Sequence, residues 1–455
     1  MSYRTIAEML ASLRRLRWQG RWSRRKLQAH QQRSLQRLRT YAYAHSSFYR
    51  TFHACCLDRP LHELPVLTKQ LLQQNFDAIV TDPKVHSSAV AEHVRGVAGT
   101  EWFLDRYVAT ATSGTTGDPT YVLFSRPEWA KVLASFARYE NHIGSLWGIV
   151  RRPKTAIVAS STPWHMSARV GATAHSAVLP VLRMDVGEPI ATIVERLNAW
   201  QPHTLASYAS ILAVLAGEQM AGRLRIAPAR IVSTAEVLSP AVRARAENAW
   251  GKIVFDQYGA TEGGSFAVEC LAHAGLHVFE DLFILEVVDG NNRPVPAGTF
   301  GEKVLLTVLF NYTQPLIRYE LTDSICFAAA PCPCGSVFAR IEGIRGRSDD
   351  VLYFPARTGS TTSCVAVHPM IFYRILDAAP LAGWQVRKEA ATLCLRLSSI
   401  GRQVSEAALV DAVRGAIERQ GAVAPPIVVE WHTDVPRGAS GKARRIVHAY
   451  DEEIT

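Results

Sequence analysis

At 455 residues the chain exceeds what one hydrophobic core usually holds, so two or more domains are expected. Its composition, 48% hydrophobic and 20% charged with no repeat or low-complexity tract, excludes a disordered or fibrous protein. The net charge of +10 calls for an acidic ligand or partner, whether a nucleotide, an acidic protein, nucleic acid or a membrane surface.

Residues 1–76 read as helical. Arg14, Arg15, Arg17, Arg21, Arg24, Arg25 and Lys26 are interleaved with Leu13, Leu16, Trp18 and Trp22, the pattern of a basic amphipathic helix. Such a helix either packs on the main domain with a solvated outer face or offers a docking face to a carrier protein or anionic lipid. Arginines break the early apolar residues, so no signal peptide is read, and no apolar run approaches the roughly 18 residues of a membrane span. The cytoplasm is the default compartment. "ELPVLTK" leads into a helix beginning near Lys69.

Short β-rich runs then alternate with helical periodicity. "TAIVAS" (155–160), "RIVST" (230–234) and "KIVFDQYG" (252–259) read as strands, and "IATIVERLNAW" and "PAVRARAENAW" as helices. This is the alternation of an α/β domain, whose ligands collect at the carboxyl ends of its strands. After about Gly275 strands and turns dominate, with "DGNN" read as a hairpin turn. A change of texture near Gly346–Asp350 places a boundary there, giving domains 1–346 and 347–455.

Two constellations carry chemistry. In "ATSGTTGDPTYVLFS" (111–125), Thr112, Ser113, Thr115 and Thr116 supply hydroxyl donors, while Gly114 and Gly117 admit close backbone approach. Such a loop suits a polyphosphate, although a Ser/Thr/Gly string can be a simple turn, and the Gly-Lys-Ser/Thr ending of the usual nucleotide P-loop is missing. The second is Cys270, His277, Cys332 and Cys334, soft ligands that suit a tetrahedral structural zinc, with His273 and Cys326 as alternates. Free buried cysteines are the competing reading. Without an export signal, metal or structural thiols are favoured over disulfides for the eight cysteines.

"TSGTTGDPT" resembles the phosphate loop of the adenylate-forming superfamily. "DQYGATEGG" (256–264), "PLIRYELTDS" (315–324), "GIRGRSDDVLYF" (343–354) and "PRGASGKARRIV" (436–447) follow in that superfamily's order. Within it, Thr120 at the end of the loop, "YAYAHSSFYR" before "ELPVLTKQLL", and "CPCG" at 332–335 are similar to the phenylacetate–CoA ligase group. The segment after the hinge, "PARTGSTTSCVAVHP", departs from that group's Gly-Val-Asn-x-Phe-Pro run.

The resemblance implies an α/β fold: a large multi-sheet N-terminal adenylation domain with a small mobile α+β C-terminal domain. It implies ATP-dependent activation of a carboxylic acid to acyl-AMP with release of pyrophosphate, then transfer to a thiol such as CoA. A carrier-protein thiol and an amine are alternative acceptors. Glu262 matches the magnesium-associated glutamate, although its spacing alone suggests a helix start. Tyr258 and Gly259, with Thr261, belong to the nucleotide site, Tyr258 lying against adenine unless it is a core tyrosine. Ala235 and Glu236 match the segment lining adenine with its backbone. Asp323 matches the ribose-binding aspartate, with a strand-end turn as its alternative. Arg347 matches the hinge arginine, Asp349 the hinge itself, and Lys442 the lysine that bridges acid and α-phosphate. The acid, apolar or aromatic, is expected near Trp164, His165, Ser207 and Tyr208. Two rival readings are a non-catalytic nucleotide-binding member of the fold and a nucleic-acid-binding protein. The latter rests on charge alone, so no nucleic-acid partner is expected. The oligomeric state stays open, a dimer included.

Overall fold

A computed structural model describes residues 3–56, 58–112, 119–138, 153–174, 180–347, 350–357, 363–367, 369–399, 404–436 and 444–448. The N-terminal region is helical, with Tyr3–Gln19, Arg24–His45 and Ser47–Phe52 followed by Lys69–Gln74 and Phe76–Ile79. Met9, Leu13 and Leu16 recur at helical spacing and are all buried, and their helix packs on the helix Arg126–Ala137. The packed-helix reading therefore holds for its apolar face. Helix Lys69–Gln74 starts where "LTK" indicates, because the Thr68 side chain accepts a hydrogen bond from Leu71 N at 3.2 Å. No helix among the described residues is long and apolar enough to cross a membrane.

The strands follow in chain order: β1 (Tyr107–Ala111), β2 (Tyr121–Ser125), β3 (Thr155–Ala159), β4 (Val181–Asp185), β5 (Thr204–Ser207), β6 (Arg230–Thr234) and β7 (Val254–Ala260). After these come β8 (Gly264–Glu269), β9 (Leu276–Val278), β10 (Phe283–Val288), β11 (Lys303–Val308), β12 (Tyr319–Leu321), β13 (Asp323–Phe327) and β14 (Arg340–Arg347). β1 and β2 form an antiparallel ribbon, β10–β12 a small antiparallel sheet, and the rest a nine-stranded sheet in the order β13-β14-β9-β8-β7-β6-β5-β3-β4.

The half of this sheet from β4 to β7 is parallel. Crossover helices such as Ile190–Trp200, Ala209–Met220 and Pro240–Trp250 make that pairing possible. Ala156, Val158, Leu205, Ile231 and Val254 of the strands bury against Ile193, Leu197, Leu212 and Leu215 of these helices. From β3 the chain steps outward to β4, then returns to the other side of β3 as β5. The carboxyl ends of β3 and β5 thus flank a topological switch point, where ligands of open α/β sheets bind.

"DGNN" does form a tight turn. Asp289 Oδ1 accepts from Asn291 N and Arg293 N, and Asn292 takes φ +63°. The hairpin stops at a single bridge, Val288 to Pro294, since Pro294 and Pro296 offer no N–H to extend it, and β11 becomes the long-range partner of β10.

Beyond β14, the strands Leu352–Pro355 and Cys364–Val367 make a ribbon. Leu381–Lys388, Leu393–Ser399, Ile427–Trp431 and Ile446–His448 make a four-stranded sheet beside the helices Met370–Leu376 and Glu406–Arg419. Its core, which includes Leu352, Phe372, Trp384, Leu395, Val413 and Ile446, is a cluster of its own.

Candidate active site and metal-ligand cluster

The sharp β7–β8 turn places Glu262. Its strands are so close that a Cβ on Gly259 would lie 2.3 Å from Gly264 O, and Gly264 itself has φ +93°. Glu262 is therefore a hairpin-turn residue, not a helix start, with Thr261 part-exposed beside it. Glu262 is only 7% exposed. Burial raises its carboxyl above the usual range; its own backbone amide and the Arg347 charge oppose this, and Asp323 adds to it. The phenol of Tyr319 neighbours Glu262 and is itself raised well above its ordinary value by burial and by that carboxylate.

The same sheet delivers two further groups. Asp323 opens β13, Arg347 closes β14, and the two are register partners. Arg347 Nε stands 3.8 Å from Asp323 Oδ1. Tyr258 OH donates to Asp323 Oδ2 at 2.9 Å, its phenol held neutral by burial and by the adjacent carboxylate. Tyr258, Glu262, Asp323 and Arg347 are thus brought together where the ends of β13 and β14 approach the β7–β8 turn.

The phosphate-loop motif joins β1 to β2. Thr112 N donates to Thr120 O at 3.0 Å, and Thr120 N donates to Thr112 Oγ1 at 2.9 Å, pinching the neck of the loop. Ser113, Gly114, Thr115, Thr116 and Gly117 lie outside the described residues, as do Asp349 and Lys442. Thr120 Oγ1 is buried beside the Tyr319 phenol, which links the neck of the loop to Glu262.

At the end of β6, Ala235 adopts φ +65°. The Glu236 carboxylate accepts from Ser210 N at 2.8 Å and Ser210 Oγ at 3.2 Å, capping the first turn of helix Ala209–Met220. With that side chain engaged, this segment has its backbone to present.

The four expected pocket residues divide. His165 and Tyr208 meet at the switch point: His165 Nδ1 lies 2.9 Å from Ser160 Oγ, and Ser160 N donates to Tyr208 OH at 3.1 Å. Trp164 neighbours His165, with ring centroids 6.2 Å apart, and its carbonyl accepts from Ala111 N, linking this corner to the phosphate-loop strand. Ser207 is enclosed, fully buried as the register partner of Ser233.

Cys270, His277, Cys332 and Cys334 converge, with all four ligand atoms within 4.8 Å of one another. Cys270 Sγ and Cys332 Sγ are 3.7 Å apart, and Cys334 Sγ is 3.2 Å from His277 Nε2. His277 Nδ1 faces Phe338 O at 3.4 Å, which leaves Nε2 for a metal. The alternates fall elsewhere: His273 stacks on Phe255 beside Glu269, and Cys326 Sγ points to Phe327 O.

No family model matches the chain. A phenylacetate–coenzyme A ligase of Thermus thermophilus is 26% identical over 453 residues, spanning 93% of this chain and 97% of its own length. The structure of 2-hydroxyisobutyryl-CoA ligase in its postadenylation state with an acyl-AMP superimposes at a TM-score of 0.71, with 20% identity over 95% of this chain and 91% of that one. The chain has the fold of this CoA ligase. Against the same 2-hydroxyisobutyryl-CoA ligase in its thioesterification state the TM-score is 0.55, at 22% identity over 94% of this chain and 90% of that one.

Two neighbouring residues of one motif have different duties in this fold. In "RYELTD" the arginine is a strut. Arg318 is 2% exposed with φ +52°, pairs with Glu286 Oε2 at 3.1 Å and donates to Leu64 O, fastening the N-terminal region to β12. The adjacent Tyr319 reaches Glu262 instead, a neighbour the motif carries but its spacing does not reveal.

Proposed function

We propose that the chain activates an apolar or aromatic carboxylic acid with ATP and passes the acyl group to a thiol such as coenzyme A. The observation that carries this reading is the gathering of Tyr258, Glu262, Asp323 and Arg347 beside the pinched neck of the Thr112–Thr120 loop. In the first step a carboxylate oxygen bonds to the α-phosphorus of ATP, the bond from that phosphorus to the bridging oxygen breaks, and pyrophosphate leaves. In the second a thiolate attacks the acyl carbon and AMP departs. Positioning and charge neutralisation carry such steps.

Asp323, fixed by Tyr258 OH, accepts from the ribose hydroxyls, and Arg347 neutralises charge beside it. The Ala235–Glu236 backbone and the Tyr258 ring flank adenine, Gly259 and Thr261 complete that wall, and residues 112–117 with Thr120 Oγ1 receive the phosphates. The buried carboxylate of Glu262 would hold a magnesium ion, which would supply further neutralisation of phosphate charge. The acid occupies the switch-point crevice by Trp164, His165 and Tyr208. Nucleic acid has no part in this reading, and the cytoplasm is its compartment. The test is coenzyme A thioester formation from a panel of aromatic and aliphatic acids. Acid- and ATP-dependent thioester supports the reading, and its absence with every acid, thiol and amine refutes it.

The region 347–455 is the mobile domain in this proposal, turning about Asp349 between the two steps. Its separate core and the better match to the postadenylation arrangement than to the thioesterification arrangement support this. Asp349→Pro restricts φ at the pivot and is expected to leave acyl-AMP formation intact while transfer fails. Unchanged thioester yield in single-turnover assays contradicts it.

We assign the Cys270, His277, Cys332 and Cys334 cluster to a structural zinc. Tetrahedral zinc–thiolate bonds of about 2.3 Å put two sulfurs roughly 3.8 Å apart, against the 3.7 Å found between Cys270 and Cys332. A full set of four protein ligands leaves no open position for chemistry. Metal analysis is expected to give one zinc per chain, and Cys332→Ser to lower both zinc content and melting temperature. A zinc-free protein with an unchanged melting temperature contradicts the assignment.

A further inference from the structure

The whole positive excess of the chain lies at its beginning. Twelve of its 50 basic residues and one of its 40 acidic ones fall within residues 1–57, so that stretch carries +11 and the remainder −1. The fold spends little of this charge internally. Arg24 pairs with Glu280, but Arg14, Arg15, Arg21, Arg25, Arg33 and Arg37 are exposed and make no ion pair among the described residues. They lie on the helices Tyr3–Gln19 and Arg24–His45 and the short turn between them, whose apolar side, with Met9, Leu13 and Leu16, is already buried.

Among these charges stands one large apolar side chain. Trp18 is 56% exposed, with Lys26 Nζ 4.3 Å from its ring centroid and Trp22 packed edge-on, the two ring centroids 5.3 Å apart. No other large hydrophobic residue on these two helices is exposed among the described residues. A stable protein–protein contact needs a desolvated apolar centre depleted of charge, which one indole beneath the Lys26 ammonium does not offer. Single-stranded nucleic acid needs successive aromatic platforms, and Lys26 already covers part of the one exposed ring. An anionic bilayer asks for what is present: unpaired cations for the headgroups and an indole at the level of the interface.

We propose that this face docks the protein on an anionic membrane surface. The contact is peripheral, because the apolar stripe of the first helix is used by the fold and leaves only Trp18 to enter the interface.

The test uses the full-length chain in co-sedimentation with vesicles of phosphatidylcholine alone and of phosphatidylcholine with phosphatidylglycerol. Binding is expected only to the latter, with a blue shift of tryptophan emission and release at high salt. Replacing Arg14, Arg15 and Arg21 with glutamine is expected to lower partitioning on the order of a hundredfold, about fivefold per charge. Trp18→Ala is expected to remove most of the emission shift. A control carrying Arg95→Gln, Lys252→Gln and Arg419→Gln, exposed positions elsewhere, is expected to bind like the parent. All these side chains are exposed, so the variants should keep the parent melting temperature. Three results would each overturn the proposal: equal binding to phosphatidylcholine alone, equal loss in the control, or tighter binding to duplex DNA than to anionic vesicles at the same salt.

Discussion

Glu262→Gln is expected to reduce acid-dependent pyrophosphate release by about a hundredfold to a thousandfold, the loss typical of one preorganised charge-stabilising group. Glutamine keeps the shape of the side chain, so the β7–β8 turn, set by Gly259 and Gly264, should form as before. What it removes is the anionic oxygen that burial holds beside Tyr319 and within the field of Arg347. Turnover measured at saturating ATP and magnesium should fall, while the melting temperature stays near or above that of the parent, because a carboxylate that is costly to bury has been neutralised. Parent-like turnover would remove Glu262 from the mechanism.

Lys442→Ala is the second large effect. The lysine belongs to "PRGASGK", outside the described residues, and its role rests on the resemblance of that motif. A cation bridging acid and α-phosphate acts chiefly on the transition state. Adenylation should therefore fall on the order of a hundredfold or more while ATP affinity, read by calorimetry, changes by only a few fold. Pyrophosphate exchange at the parent rate would refute the role. A matching loss of ATP affinity would make Lys442 a ground-state binding residue instead.

How much of this was readable in the residues follows from how local each constraint is. "RIVST" and "PAVRARAENAW" are an actual strand and helix, with the same first and last residues, because the parallel half of the sheet needs a buried apolar run and an amphipathic crossover each time. The β7–β8 turn was legible in "YGATEGG" because close backbone approach at Gly259 admits only a small residue. Less legible were roles decided across long sequence distances. The helix start suggested for Glu262 gave way to a hairpin, since the two glycines after it let β8 fold back on β7. Arg318 and Tyr319 are neighbours in sequence with opposite duties, one tied to Leu64 and Glu286 and the other to Glu262. Glu236 could be read as part of an adenine-lining segment, but its carboxylate serves a helix that starts 27 residues earlier, at Ala209. Ser207 showed a polar residue at a strand end without showing that the sheet encloses it.

The central claim is that acyl transfer runs through an adenylate, and the fate of the carboxylate oxygens tests it most directly. The acid that supports turnover is supplied with heavy-isotope oxygen in its carboxylate, and the nucleotide products are analysed by mass spectrometry after complete reaction with ATP and coenzyme A. Attack of the carboxylate on the α-phosphorus predicts one labelled oxygen in each AMP and none in pyrophosphate. Formation of ADP with the label in inorganic phosphate, or of AMP without label, would contradict it.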